Sequence, residues 1–444
     1  MSAISPERGS TPLPLPRAFG PQYVLVDRIG VGGMAEIYLA RRKTQSDVSR
    51  LAVVKLVLPL LARDERFSTL LVQEAKLAAQ LSHGNIVQTY DLGRQDGQLY
   101  IAMEYVEGFD LNELLKRCSK AKVPLPASFA LFVVRETLAA LDYAHRKRNT
   151  EGRPLNLVHR DVSPSNVLVS FEGEVKLCDF GIARALDARE GRNDSIEGKA
   201  SYMAPEHARG DSVDARADVF SASVILWELL AGRRMYRSED GVDLLTLARR
   251  GEVPPLPDRP LPHFEVLRRI VHQGLARSPA DRFESAAAML HALDDYRMEA
   301  EIRTSPMDLG EWVVEHFGQE IITLRRAREQ AAIALEGRVG EEPQQTPLPA
   351  AEPDPIRDIL SANSQSDSHA LAYESSPPSN PIAGYPSTFP PMALPSMIPS
   401  MMTAPLEMIP MQPPAPSVMP RVFALAVGAL ITLAIGIGIF VFSR

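Results

Sequence analysis

His159-Arg160-Asp161-Val162-Ser163-Pro164-Ser165-Asn166-Val167-Leu168 is the stretch on which the reading turns. It sets a carboxylate and an amide in a loop that runs straight into apolar, strand-like sequence. Downstream, Val175-Lys176-Leu177-Cys178 leads into a second carboxylate, Asp179-Phe180-Gly181. Alone, such polar loop residues are often nothing more than capping groups. Further out lie Gly30-Val31-Gly32-Gly33 between two strand-like runs, Val53-Val54-Lys55 closing an apolar run, Glu74 inside a helical pattern, and Ala204-Pro205-Glu206. A glycine-rich turn by itself is usually only a turn, but its bare backbone N–H groups can approach an anion. A lysine that ends an apolar strand needs an anionic partner. Read together and in this order, the motifs carry a signal that none carries singly.

The set resembles the signature of Hanks-type Ser/Thr protein kinases, and more narrowly their membrane-anchored bacterial branch, over roughly residues 23–296. The resemblance implies an α+β, bilobal fold, with a small β-rich lobe on a larger helical lobe and the ligand in the cleft. It also implies ATP and Mg²⁺ as cofactors and protein hydroxyls as acceptors. Asp161 becomes the base that orients the acceptor hydroxyl and takes its proton. Asn166 and Asp179 become the Mg²⁺ ligands, and Lys55, paired with Glu74, bridges the phosphates. Around the adenine the resemblance places Ile29, Gly30, Gly32, Gly33, Ile37 and Val53 above, and Leu168 below. Met103 guards the back of the pocket, the backbone of Glu104 and Val106 meets the base, and Asp110 meets the ribose.

The chain departs from the family pattern at several points. Ala35 stands where a third glycine is usual, which stiffens the loop tip. Val53 replaces the usual alanine and narrows the adenine pocket. Ser163 replaces a lysine two residues after Asp161, and Lys199 replaces a threonine after Gly198. In the family those two side chains meet over the catalytic aspartate. An exchange follows as an expectation, with Lys199 supplying the cation and Ser163 the hydroxyl that bonds Asp161. The competing reading is a degraded site. Arg160 beside Asp161 implies control by phosphorylation of the activation segment, with Ser195 as the regulatory phosphosite. As framework, Glu206 is expected to pair with Arg282, and Asp218 to brace the catalytic-loop backbone.

Strands are expected over Tyr23–Arg28, Glu36–Arg41, Leu51–Leu56 and Tyr100–Tyr105, near 157, and over 167–178. Helices are expected over Arg66–Leu81, Ser128–Arg146 and Ala217–Ala231. Residues 297–340 continue an amphipathic pattern (Leu309, Trp312, Val313, Phe317, Ile321, Leu324). This reads either as helices packed on the large lobe or as a partner-binding extension.

With 444 residues, the chain is too long for one compact core. A net charge of −7 argues against nucleic acid as a partner. Two cysteines, Cys118 and Cys178, do not make a disulfide framework. Residues 1–22 are expected to be disordered and show no secretory leader. Residues 341–420 hold about half of the 37 prolines and read as a disordered Pro/Ser/Met-rich linker. Residues 422–442 are uncharged and long enough to cross roughly 30 Å of hydrocarbon. That implies a single-pass membrane anchor with the ATP site in the cytoplasm. Ala424, Gly428, Thr432 and Gly436 form a small-residue stripe that would allow a homodimer. Two functions stay open: a membrane-tethered Ser/Thr kinase that also phosphorylates itself, and a nucleotide-binding pseudokinase scaffold. Ala35, Val53 and Ser163 favour the scaffold.

Overall fold

Alternating apolar and polar residues over the first hundred positions build one antiparallel sheet. Its strands are β1 (Arg17–Phe19), β2 (Tyr23–Val31), β3 (Ala35–Arg42), β4 (Arg50–Val57), β5 (Thr89–Gln95) and β6 (Gln98–Glu104), in the order β1-β2-β3-β4-β6-β5. They belong to a computed structural model that describes residues 15–32, 34–43, 50–62, 64–95, 97–180, 200–237 and 242–336. Gly33, Gly181, Ser195, Gly198, Lys199 and the whole of 341–442 lie outside the described residues. The expected anchor and its small-residue stripe are therefore among them.

Period-two alternation divides β4 between two faces. Val54 and Leu56 join Phe19, Tyr23, Leu25 and Tyr38 in one apolar cluster. Val53 and Val57 face the other way, into a cluster with Leu99, Ile101 and Met103 of β6. Lys55 shares that second face, so the same alternation that builds the sheet aims the lysine at the cleft. Helix α1 (Pro59–Ala62) precedes α2 (Glu65–Ala78), whose Phe67, Leu71, Val72 and Ala75 cover this face. Asp64 starts α2 by accepting the Phe67 N–H at 3.0 Å, a side-chain N-cap. The helix ends three residues short of the expected Leu81.

Two expectations about edges fail. Residues 1–22 contain β1, which pairs with β2, and Phe19 is buried against Tyr100 in an edge-to-face contact at 5.1 Å. No strand forms at 157: Leu157 is buried, but the chain there runs irregularly into Arg160, whose φ is +66°.

The second lobe starts with β7 (Gly108–Asp110), which joins β8 (Val167–Ser170) and β9 (Val175–Leu177) in a small sheet. Around it stand α3 (Leu111–Ala121), α4 (Ala127–His145), α5 (Pro205–Arg209), α6 (Arg216–Ala231), α7 (Leu244–Arg250), α8 (Phe264–Gly274) and α9 (Ala286–Glu299). Helix α6 is buried from Ala217 to Leu230, as a central core helix is, and carries Asp218 and Glu228 into that interior.

The extension resolves into one helix, α10 (Pro306–Glu336), and it packs on the large lobe. Leu309, Val313, Phe317 and Ile321 enter the main core. Trp312 lies 5.6 Å from the Phe129 ring, and Phe317 lies 6.4 Å from Phe109. The contact is close enough to require glycine on both sides. A Cβ on Gly173 (φ +82°) would fall 1.8 Å from the Pro306 carbonyl oxygen, and one on Gly310 would fall 2.7 Å from the Glu172 carbonyl carbon. Among the described residues, no helix is long and apolar enough to cross a membrane.

Candidate active site

The loop at 159–166 is held from below by one carboxylate. Asp218, in the first turn of α6, is fully buried. It accepts the backbone N–H groups of His159 and Arg160, each at 2.8 Å, and meets His145 Nε2 at 2.8 Å. Burial alone would raise its pKa, but the His145 hydrogen bond and the neighbouring histidines hold it below the usual carboxylate range. His159 is buried too, and its Nε2 meets the Cys178 carbonyl at 2.9 Å. Its ring packs on Phe180 at 4.5 Å. One histidine thus joins the loop that carries Asp161 to the strand end that carries Asp179. Arg160 and Asp179 both take positive φ, +66° each. Such strain persists only where surrounding contacts impose it.

Asp161 and Asn166 form a unit. The Asn166 amide donates to the Asp161 carbonyl at 2.7 Å and to its carboxylate Oδ2 at 3.1 Å. Among the described residues, nothing donates to the Asn166 side-chain oxygen, which leaves a hard oxygen ligand of the type Mg²⁺ requires. Asp179 supplies the second carboxylate. Its oxygens contact Lys55 Nζ, one of them at 2.5 Å. Burial works against the Lys55 ammonium, yet the Asp179 charge keeps its pKa above the ordinary value.

Two expected contacts are not made among the described residues. Lys55 pairs with Asp179 rather than with Glu74, which sits buried on α2. Ser163 is buried, but its hydroxyl does not bond Asp161. It precedes the 3₁₀ turn Pro164–Asn166, and its carbonyl accepts the Asn166 N–H at 2.9 Å. The proposed exchange therefore lacks its serine half here, and Lys199 lies outside the described residues.

Several residues expected around the adenine lie together. Val53, Val106 and Leu168 pack on the cluster that includes Met103 and Cys178. Cys178 is a small buried hydrophobe, its thiol pKa pushed up by burial. Met103 closes a narrow cavity lined also by Ala75, Ile86, Ile101 and Phe180. Glycine-turn geometry is fixed by a bond from the Gly32 N–H to the Ala35 carbonyl at 2.9 Å. Ile37 pairs with both Gly30 and Lys55 across the sheet, and Ile29 is partly exposed on β2. Among the described residues, the Val106 backbone N–H and C=O make no hydrogen bond, so both are open to a planar base. The Glu104 side chain is held by Lys176 at 2.7 Å and by the Gln88 N–H at 3.1 Å. Asp110 caps α3 by accepting the Glu113 N–H at 2.8 Å, and burial raises its pKa. One of its oxygens is thus committed to the helix.

Sequence reasoning missed Lys176, whose alternation within β9 marks it as facing away from the core, and which meets Glu104. It also missed the bridging roles of His145 and His159. The framework pair is as expected. Arg282 grips Glu206 with two bonds of 2.7 Å in a buried setting.

The protein kinase domain family matches residues 23–292. The chain belongs to that family. Among curated relatives, it is 40% identical over 317 residues to the tyrosine-protein kinase MasK of Myxococcus xanthus, covering 70% of this chain and 48% of that protein. It is 36% identical to the serine/threonine-protein kinase PknB of Mycobacterium leprae, covering 60% of this chain and 42% of that one. The chain thus spans less than half the length of these relatives. The solved kinase domain of Mycobacterium tuberculosis PknI aligns at 29% identity with a TM-score of 0.49, covering 64% of this chain and 99% of that one. The kinase segment ends at 292, so α10 lies beyond it.

Proposed function

We propose that this kinase transfers the γ-phosphoryl group of ATP to serine or threonine hydroxyls of proteins, itself included, from a membrane tether formed by residues 422–442. The observation that carries the phosphotransferase reading is the Asp161–Asn166 unit. Both amide N–H groups of Asn166 serve Asp161, and among the described residues nothing donates to its side-chain oxygen. Asn166 and Asp179 are the residues that would hold Mg²⁺. When bound, the ion neutralises charge on the phosphates.

In this reading Asp161 positions the acceptor hydroxyl and accepts its proton. The hydroxyl oxygen bonds to the γ-phosphorus as the bond to the β–γ bridging oxygen breaks, and ADP leaves. Lys55 exchanges its contact with Asp179 for one with phosphate. The Val106 backbone and the walls formed by Val53, Met103 and Leu168 hold the base. Catalysis is then mainly positioning and charge stabilisation.

Two observations support a second acceptor, tyrosine. The lysine usual two residues after the catalytic aspartate is Ser163, and MasK carries the name of a tyrosine kinase. One experiment covers both readings. The full chain is incubated with Mg²⁺ and labelled ATP beside Asp161→Asn, and the labelled amino acid is identified. Label on serine or threonine in the wild type, reduced about 10²–10⁴-fold in the variant, is the expected result. Label on tyrosine alone would replace the acceptor. Nucleotide binding without label would make the chain a scaffold.

A further inference from the structure

Only Tyr105, Val106 and Glu107 connect the last strand of the first lobe, β6, to the first of the second, β7. This is the hinge by topology alone. Both residues that flank Val106 are gripped from outside the kinase segment. Arg328 of α10 bonds the Tyr105 hydroxyl and lies over its ring, 5.3 Å from the centroid. Arg325, one turn earlier, bonds Glu107 Oε2 at 2.8 and 3.2 Å. It also lies over the Phe171 ring at 5.6 Å and stands 3.8 Å from Glu172. Burial pushes the Tyr105 hydroxyl up to about 12, so it stays a neutral partner for the guanidinium.

The arginines are aimed by the helix itself. Leu309, Val313, Phe317 and Ile321 lock α10 into the large lobe, and Leu324 and Arg328 continue the same face toward the hinge. Arg117 of α3 adds an ion pair with Glu320. Helix α10 also lies against β2, so it touches both lobes. Between the two gripped residues, the Val106 backbone N–H and C=O make no hydrogen bond among the described residues. A strap anchored on one lobe therefore fixes the orientation of the peptide groups that meet the base.

We propose that Arg325 and Arg328 are positioning residues for the nucleotide, and that α10 is a strap that presets the hinge for ATP. The proposal rests on reading the cleft as an ATP site. It assigns α10 an effect on nucleotide affinity that a helix merely filling out the large lobe would not have.

The test uses the full chain and Mg·ATP titrated in a calorimeter, so that it does not depend on turnover. Arg325→Ala with Arg328→Ala is expected to weaken binding by about tenfold, within the usual range for coupling between sites. In turnover assays, the loss falls on KM for ATP more than on kcat. Arg325→Glu sets like charges face to face with Glu107 and weakens binding further. Adding Glu107→Arg to Arg325→Glu restores the pair and recovers most of the affinity. Unchanged affinity in the double alanine variant overturns the proposal. So does a loss that follows the melting temperature and is not recovered by the charge swap, since that marks a purely structural helix. A wild type that binds no nucleotide defeats the ATP reading itself, and the proposal with it.

Discussion

The catalytic loop and the hinge are both short irregular connections, and each must hold backbone groups in a fixed direction. They achieve this differently. The loop at 159–166 is braced from inside by a single buried carboxylate, Asp218, which takes two backbone N–H groups. The hinge at 105–107 is braced from outside by two partly exposed arginines on a helix beyond the matched kinase segment. The difference teaches that the two connections are secured by separate parts of the chain, and, on the proposed reading, the chemistry and the nucleotide grip with them. A buried brace is costly to lose because nothing, not even water, replaces it. An exposed brace is worth less, and can be adjusted with little harm to folding.

The sharpest break is at the buried brace. Asp218→Ala leaves two buried N–H groups and His145 without their acceptor. Stability is expected to fall by about 3–5 kcal/mol, and kcat by at least about 10²-fold through misplacement of Asp161. Chemical denaturation and steady-state kinetics read the two effects. ATP affinity should change less than threefold if loop and hinge are independent; a larger change would join them.

A smaller loss is expected one layer further from the chemistry. Arg282→Ala strands Glu206 in a buried site and should cost about 3 kcal/mol. Replacing both residues, Arg282→Met with Glu206→Leu, should recover much of that stability without restoring full turnover. Denaturation midpoints for the single and double variants measure it. Equal losses in both would mean the pair matters for packing rather than for charge.

The most gradual effect is a pH slope away from both connections. Glu228 of α6 is buried, accepting from the Tyr202 hydroxyl at 2.7 Å, the Met235 N–H at 2.9 Å and Nη1 of the half-exposed Arg234 at 3.1 Å. Burial pushes its carboxyl from the ordinary 4.5 up to about 7. Over that interval the folded chain keeps a proton that the unfolded chain releases, so stability falls as pH rises. The contribution is complete below the unfolded value and is lost as pH passes through about 7, with a slope of at most about 1.4 kcal/mol per pH unit. Melting curves across this interval should lose that slope in Glu228→Gln.

The residues proposed to do chemistry could be picked out because phosphate chemistry demands particular groups at particular spacings. Asp161, Asn166, Asp179 and Lys55 meet in the cleft, and Glu206 finds Arg282. The side on which Lys55 emerges came only with the structure, because β4 is apolar on both faces around it. What stayed hidden depends on contacts distant in sequence. Strand β1 lies in proline-rich sequence whose local preferences favour no regular structure, and only pairing with β2 makes it a strand. The partner of Lys55 depends on which anion is nearest in the folded cleft. The seat of α10 was ambiguous because an apolar stripe says that a helix is covered, never by what. Its arginines continue that stripe by one more turn, but their targets, Tyr105 and Glu107, lie some two hundred positions earlier.

The dovetail between Gly173 and Gly310 has a practical consequence for anyone cutting the chain. The kinase segment ends at 292 by homology, yet Phe109 and Phe129 are covered by side chains from 312 and 317. A fragment ending at 292 would carry a fresh greasy scar on its flank and should aggregate on expression. One ending near 336 should stay in solution. The boundary that relatives share and the boundary at which this polypeptide can be severed without harm lie some forty residues apart.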